Sequence, residues 1–496
     1  MIQRESGQGS FHSVLWATLL PEDHELLRIE RSFNFEWIDK ELGEYYEVGG
    51  PGRPAVSPRK LFLMLFLEMY EGLSDYEVVE RVRRDALFRK FAGFELEEEI
   101  PDHSTLSVFR ERIGEEGFRK VFNRFVEELE EKKLISHRLK IVDATHMEAD
   151  AFMRGRVGVL RQAQRRMIRA MKKEDGAKTQ KLGYKEEDVT QRLEEEEPGM
   201  LRQETAKLKK LLEIGKTQFE RQAKADAEFL EEILFRSSES KSVHSLSDPE
   251  ARPGHKSPKK MFYGYKAHTV TNESGITTTV ETIGGNKNEC RDLPELLKEE
   301  SQRGLKGDVV LADGLYDSGI NRQTIREDED LKMQEVIPAD HRRAQAEMFQ
   351  YDEATNTLTC PQGATAMGHS PHARGQLFYF SQKDCRNCPD RKICPSFSER
   401  EHRARVLLSL DRKMRLSSPL SPEMQKALFR FRTIVERLYG WAKQKHGLRR
   451  ARYRGRARVA VQAFLTFLVL NARKALRIKE GLCPIKPPGL AALGYA

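Results

Sequence analysis

Phe-Arg-Phe-Arg-Thr-Ile-Val-Glu-Arg-Leu-Tyr-Gly-Trp-Ala-Lys, running from Phe429 to Lys443, is the stretch on which the reading of the chain turns. As a helix it sets Arg432, Glu436 and Lys443 four and then seven residues apart. At about 100° per residue, those steps return each side chain to nearly the same face. A carboxylate is then flanked by two cations along one stripe of a segment otherwise rich in apolar residues. Alone, that pattern describes an i,i+4 ion pair on a solvated helix, worth roughly a few tenths of a kcal/mol.

Two aspartates give the stripe a different meaning. Asp143 follows the apolar run Leu-Lys-Ile-Val, and Asp313 follows Gly-Asp-Val-Val-Leu-Ala. Both runs are short and carry β-branched residues, so both read as buried strands ending in an acid. Two acids at strand ends and one on a helix can converge on a pair of divalent metal ions. Hard cations such as Mg²⁺ take carboxylate oxygens and accept phosphate oxygens to complete the shell. Two such ions clamp the attacking and leaving oxygens of an in-line phosphoryl displacement.

The spacing Phe429-x2-Arg432-x3-Glu436-x6-Lys443 resembles the Tyr-x2-Arg-x3-Glu-x6-Lys signature of DDE-type transposases of bacterial insertion sequences. The likeness extends to Val-Asp-Ala-Thr around Asp143, Tyr-Gly-Tyr-Lys-Ala-His at Tyr263–His268, Ala-Asp-Gly-Leu-Tyr-Asp at Ala312–Asp317 and an N-terminal segment. It implies an RNase H-like mixed-sheet core in which Asp143, Asp313 and Glu436 hold Mg²⁺ or Mn²⁺. It also implies that Lys443 and Arg432 engage phosphates beside the scissile bond. The partners would be double-stranded DNA, both the element's terminal repeats and the target, with a homodimer in the DNA complex. Phe429 departs from the signature, which removes a phenol hydroxyl but no metal ligand. Glu423, upstream in the same region, is an alternative third acid.

Composition sets the outer limits. The chain has 496 residues, 33% charged and 39% apolar, with net charge +8, and a pI near 9.0. Polyanions are plausible partners, although that total alone discriminates little. No apolar run reaches a membrane span of roughly 18 residues, and no signal-peptide pattern opens the chain. A cytoplasmic, nucleoid-associated protein without membrane contact is expected.

The chain divides into an α/β core with additions. Residues 1–130 read as a helical DNA-binding domain: Ser57-Pro58, Ser74-Asp75 and Pro101–Thr105 each open a helix, the last through Ile113. These short capped helices suit either a helix-turn-helix-like module or an ordinary helical bundle. The first part of the core spans 136–340 and includes an insertion over about 151–257. That insertion reads as an antiparallel helical arm or as a solvated charged coil, closed by the linker Ser245–Pro258. Tyr263–Thr271 and Thr277–Thr282 pair as strands, and Asp308–Ala312 and Met333–Ile337 alternate with helices, as in a mixed sheet. A cysteine-containing insertion fills 341–421, and the core ends with 422–480.

Two further groups carry chemistry. Four of the six cysteines lie in the second insertion: Cys360, then Cys385-x2-Cys388-x5-Cys394. That set suits a structural Zn²⁺ site, or simply reduced thiols, since disulfides are disfavoured in a cytoplasmic protein. Arg449, Arg450, Arg452, Arg454, Arg456 and Arg458 cluster around Tyr453, as either a phosphate-binding segment or a solvated basic loop. The function expected is DNA transposition: binding element ends, cutting phosphodiester bonds and joining 3′ ends to target DNA by two-metal phosphoryl transfer. A metal-dependent nuclease and a domesticated, non-catalytic DNA-binding protein are the rivals.

Overall fold

The computed structural model of the protein describes Trp16, Gln162 and residues 18–46, 55–152, 245–257, 259–339 and 349–494. The helical arm expected over about 151–257 lies almost wholly outside the described residues.

Before the sheet, the described residues form the helices α1 (Glu25–Ser32), α2 (Trp37–Gly43), α3 (Pro58–Glu71), α4 (Asp75–Arg84), α5 (Ala86–Phe91) and α6 (His103–Glu131). Their starts follow from capping chemistry. The Ser57 hydroxyl accepts from the Lys60 N–H ahead of Pro58, Ser74 and Glu77 form a reciprocal capping box, and Asp102 caps α6. The helical run that starts after Asp102 reaches Ile113 as expected; Gly114, with φ of 63°, is not helical, and a second run continues from there to Glu131. Glycine adopts that positive-φ backbone at no Cβ cost, so one helical run stops and the next starts there without an intervening loop. α3 is apolar on nearly every side and is buried along its length.

The sheet follows, with β1 (Leu139–Glu148), β2 (Arg252–Ser257), β3 (Lys260–Asn272), β4 (Thr277–Gly284), β5 (Val309–Leu311) and β6 (Gln334–Val336). Helix α7 (Leu293–Gln302) precedes β5, and α8 (Gly319–Glu327) separates β5 from β6. The strand order is β2-β3-β1-β5-β6, with β4 also paired to β3. β3 runs antiparallel to β1, β2 and β4, whereas β5 lies parallel to β1 and to β6. The expected turn at Asn272–Gly275 joins β3 to β4. Ser245–Pro258 is not all linker: its Pro253-Gly254 pair sits within β2, which among the described residues pairs with β3 alone. Proline is tolerated there because an edge strand has no second neighbour to receive its missing N–H.

The period of two along the strands sorts the two faces. Leu139, Ile141, Val309 and Leu311 join a core shared with the N-terminal helices, while Val142 and Val310 join a second core with Leu296, Leu297, Tyr316 and Ile325. The first face is closed by the long helix α13 (Arg456–Lys479), from near the end of the chain. α13 is the one helix among the described residues long and apolar enough to cross a membrane, but that apolar window is 89% buried inside the protein. It packs on α6, α3 and β4. Asn471 fixes its register on β4, accepting from the Thr277 N–H at 2.8 Å and donating to the Thr277 carbonyl at 2.7 Å.

Between β6 and α13 the chain forms a small second unit and then returns. The strands β7 (Gln350–Asp352) and β8 (Thr357–Thr359) pair with each other. A separate sheet contains β9 (Gly368–His372), β10 (Gly375–Tyr379), β11 (Phe397–Ser398) and β12 (Arg403–Ser409), with the short helix α9 (Gln382–Arg386) between β10 and β11. Helices α10 (Leu410–Leu416) and α11 (Pro422–Phe429) lead back to the main sheet, followed by a 3-10 turn at Arg430–Arg432 and α12 (Thr433–Lys445). The segment from Phe429 to Lys443 is thus not one uniform helix. The Thr433 hydroxyl donates to the Arg430 carbonyl at 3.0 Å, offering that acceptor a local partner where the turn tightens.

Candidate active site

Strand register places the two aspartates together. Ile141 pairs with Leu311 in the parallel β1–β5 ladder, and Asp143 and Asp313 each lie two residues further on. They are therefore level with each other, beside the C-terminal end of β5. Their parity with Ile141 and Leu311 turns both toward the face covered by the C-terminal helices. Outside the carboxyl ends of parallel strands is where open α/β sheets leave room for a ligand.

Helix α12 crosses that end, and Arg432, in the turn just before it, ties the acids together. Its Nη2 donates to Asp143 Oδ2 at 3.0 Å and to Asp313 Oδ2 at 3.5 Å. Its Nη1 lies 3.5 Å from Glu436 Oε1. Three carboxylates from two strands and a helix thus meet one guanidinium. The Phe429 ring lies 5.9 Å from that guanidinium, so the aromatic body of the signature position is kept without its hydroxyl. Arg432 Nε is buried and has no hydrogen-bond partner among the described residues.

The acids do not share one environment. Burial pushes the Asp143 carboxyl up to about 6; Arg432 pulls it down and Asp313 raises it further. Asp313 is also raised by burial, against the pull of the Leu315 N–H and Arg432. Glu436 is 57% exposed and forms the solvent side of the group. Asp143 is fixed from behind: the Tyr439 hydroxyl donates to its carbonyl at 2.7 Å and sits 2.8 Å from the Thr269 hydroxyl. Neither residue was singled out by sequence reasoning. The available signal was that Tyr439 follows Glu436 by three positions, within reach of the same helical face.

Lys443 meets the same strand further along. Its Nζ lies 3.2 Å from His146 Nδ1. Burial, then Lys256 and Arg449, push the Lys443 ammonium down to about 8. Burial and the cations Lys443, Lys256 and Arg449 hold His146 down at about 4. A neutral His146 therefore accepts from a charged Lys443, and positive charge accumulates beside Asp143. The stripe read from the sequence does face β1: Arg432 reaches Asp143, and Lys443 reaches His146. Glu423 lies in the first turn of α11 rather than on α12.

Among the described residues, no group of three or more His, Cys, Asp or Glu side chains is drawn closely enough together to hold a metal ion. At the acids, the guanidinium stands where a cation would. An all-oxygen donor set already gathered around positive charge suits a hard divalent ion.

The basic segment is more engaged than its composition suggests. Arg452 pairs with the buried Glu68 at 2.8 Å, where Arg110 also approaches and the Tyr453 hydroxyl donates at 3.0 Å. Arg450 and Arg454 both reach Asp150, Arg456 pairs with Glu115, and Arg458 with Glu111. Arg449, Arg450 and Arg454 keep exposed side chains, whereas Arg452 is only 20% exposed. The four cysteines of the second unit line one cavity. Burial pushes the Cys385 thiol up, and the thiols of Cys394, Cys360 and Cys388 are near enough to add to that rise.

Parts of the chain are similar to known proteins. A transposase domain model (DUF772) matches residues 15–112, and a transposase DDE domain model matches residues 234–472. An uncharacterised protein, ORF8 in the nfe locus of Rhizobium meliloti, is 34% identical over 104 residues, 21% of this chain and 49% of that protein. The transposase for insertion sequence element IS1106 of Neisseria meningitidis serogroup B is 45% identical over 65 residues, 13% of this chain and 21% of that protein. The matched regions thus span about half and about a fifth of those relatives. No solved structure matches the chain significantly. With two transposase models covering most of its length and a transposase among its relatives, the chain belongs to the DDE-type transposases of insertion sequences.

Proposed function

We propose that this protein is a DNA transposase that binds the ends of its element, cleaves phosphodiester bonds there and transfers the 3′ ends to target DNA. The observation that carries the reading is the convergence of Asp143, Asp313 and Glu436 on one guanidinium beside the C-terminal end of β5. The order β4-β3-β1-β5-β6, with three antiparallel and then two parallel strands, supports an RNase H-like core.

Asp143, Asp313 and Glu436 would hold Mg²⁺ or Mn²⁺. When bound, such ions activate a water or a 3′-hydroxyl and stabilise the leaving oxygen. The chain's own residues do the rest. Tyr439 and Thr269 keep Asp143 in place, so the two aspartates stay level. Arg432, once released from the acids, presents its guanidinium fork to a phosphate beside the scissile bond and satisfies its unpartnered Nε. Lys443, with Lys256 and Arg449 behind it, adds positive charge where negative charge develops on the phosphoryl group. The exposed Arg449, Arg450 and Arg454 would track the DNA backbone, and the N-terminal helices would bind the terminal repeats of double-stranded DNA in a homodimeric complex.

A gel assay with Mg²⁺, run on intact and on pre-cleaved element ends, tests the reading. A transposase cuts the first substrate and joins the second to target DNA. Cutting without joining would make the protein a nuclease, and binding alone would make it a non-catalytic DNA-binding protein.

A further inference from the structure

The unit between β6 and α10 has a stability problem that its cysteines can solve. Its buried apolar cluster is small: Phe349, Leu358, Phe378, Phe380, Ala404, Val406 and Leu408. Its strands are short, and β11 has two residues. A unit this size rarely closes a sufficient core alone, and small folds supply the deficit with disulfides or a structural metal. No disulfide joins the cysteines among the described residues, and a metal is the other device.

The four thiols are placed by backbone turns of the kind that present metal ligands. Cys360 directly follows β8 in the turn Cys360-Pro361-Gln362-Gly363. Its N–H donates to the Ala364 carbonyl at 2.8 Å, and its carbonyl accepts from Gly363 at 2.9 Å. Gly363 has φ of 82°, which favours glycine and folds the chain back over the sulfur. Cys385 lies in the last turn of the short helix α9, and Cys388 follows in the next turn, its carbonyl accepting from the Arg391 N–H at 3.2 Å. Cys394 closes a further turn, its N–H donating to the Asp390 carbonyl at 2.9 Å. The Ala404 N–H, from β12, donates to Cys385 Sγ at 3.3 Å. Amide donation to sulfur orients a thiolate ligand in the outer shell of a metal site.

All four side chains line one cavity of about 550 Å³, and Cys360, Cys385 and Cys394 also pack against the small apolar cluster. The four thiols stand farther apart than metal-bound ligands do, so binding requires them to rotate toward one another. We propose that Cys360, Cys385, Cys388 and Cys394 bind one structural Zn²⁺ that pins the turn after β8, the end of α9 and the following loop to β12. Four thiolates satisfy the tetrahedral preference of zinc with no open position, so the site would be structural. Binding displaces the thiol protons to solvent, so affinity falls as pH is lowered. This site is independent of the acids on the main sheet, and its test needs no DNA cleavage.

The experiment uses the full chain, purified in reducing buffer without chelators, with metal content measured by mass spectrometry. About one zinc per chain is expected. Cys388→Ser and Cys394→Ser should each lower zinc retention severalfold, while Cys290→Ser and Cys483→Ser leave it unchanged. Replacing zinc with Co²⁺ in the unsubstituted chain should give the intense visible bands of a tetrahedral thiolate complex, which guards against variants that fail to fold. Reduced, folded protein that carries no zinc and gives no cobalt spectrum would overturn the proposal. Zinc retained equally by all four variants would overturn it too, as would thiol counting that finds these cysteines oxidised in pairs in metal-free protein.

Discussion

Replacing Asp143 with Asn should stabilise the metal-free protein while removing its activity. In the fold the Asp143 carboxyl is pushed from its ordinary 3.8 up to about 6, chiefly by burial, with Asp313 adding to the rise and Arg432 opposing it. A tenfold change in proton affinity corresponds to about 1.4 kcal/mol, so the charged form costs the fold up to about 3 kcal/mol at neutral pH. The sign follows from linkage. A carboxyl raised in the folded state imposes no cost below the unfolded pKa, and its stabilising proton is lost as pH climbs through about 6. Asn removes the charge at every pH and still offers Arg432 an acceptor oxygen. Asn keeps the burial cost of a polar amide, so the expected gain is about 1–3 kcal/mol near pH 7.5, on the order of 5 °C in melting temperature. The assay is thermal unfolding of both proteins in EDTA at pH 7.5 and at pH 5. The gain should shrink at pH 5, where the native carboxyl is mostly protonated. Asp143→Asn that is less stable than the native chain at both pH values would refute the argument, because Arg432 would then stabilise the charged carboxylate more than burial opposes it.

Other consequences follow from neighbouring groups. Lys443 is held down at about 8, so its charge is present below that pH and lost above it. Cleavage should therefore fall as pH rises through about 8, and Lys443→Arg should shift that fall to higher pH, as a pH–rate profile would show. Lys443→Ala should lower cleavage far more than end binding; equal losses in a binding titration would make Lys443 one more backbone contact. Arg452→Ala removes one of the two guanidinium partners of the buried Glu68, whose carboxyl burial already pushes up to about 7, so unfolding by denaturant should show a loss of stability that grows as pH rises above 7. Neutralising the exposed Arg449 and Arg450 should instead weaken DNA binding across sequences and lower the salt slope by about two. A destabilised fold with an unchanged slope would move those two arginines into the structural group.

The parts legible in the sequence were those governed by local pattern. The apolar runs before Asp143 and Asp313 lie in adjacent parallel strands, although β1 continues past Asp143 to Glu148 instead of ending at the acid, and the turn-rich Asn272–Gly275 joins two antiparallel strands. The serine and aspartate caps open helices where expected. What stayed hidden depends on partners distant along the chain. Tyr439 gains its role only because α12 lies across β1 and β3, which brings Thr269 to it. Arg432 fell on the expected stripe, but its bond to both aspartates requires the sheet register. The arginines after α12 looked like one basic patch, because local charge cannot reveal the acids of α3, α6 and Asp150 that meet them. Pro253-Gly254 resembled turn chemistry until pairing with β3 made it an edge strand.

The most direct test of the central claim is Mg²⁺-dependent cleavage of element-end DNA by Asp143→Asn, Asp313→Asn and Glu436→Gln beside the native chain, with end binding measured in the same samples. Each substitution removes a charged oxygen ligand while preserving side-chain shape. If the three acids form one metal-holding group, each variant loses nearly all cleavage and still binds the ends. A variant that cleaves at close to the native rate would contradict the account and take its residue out of the group.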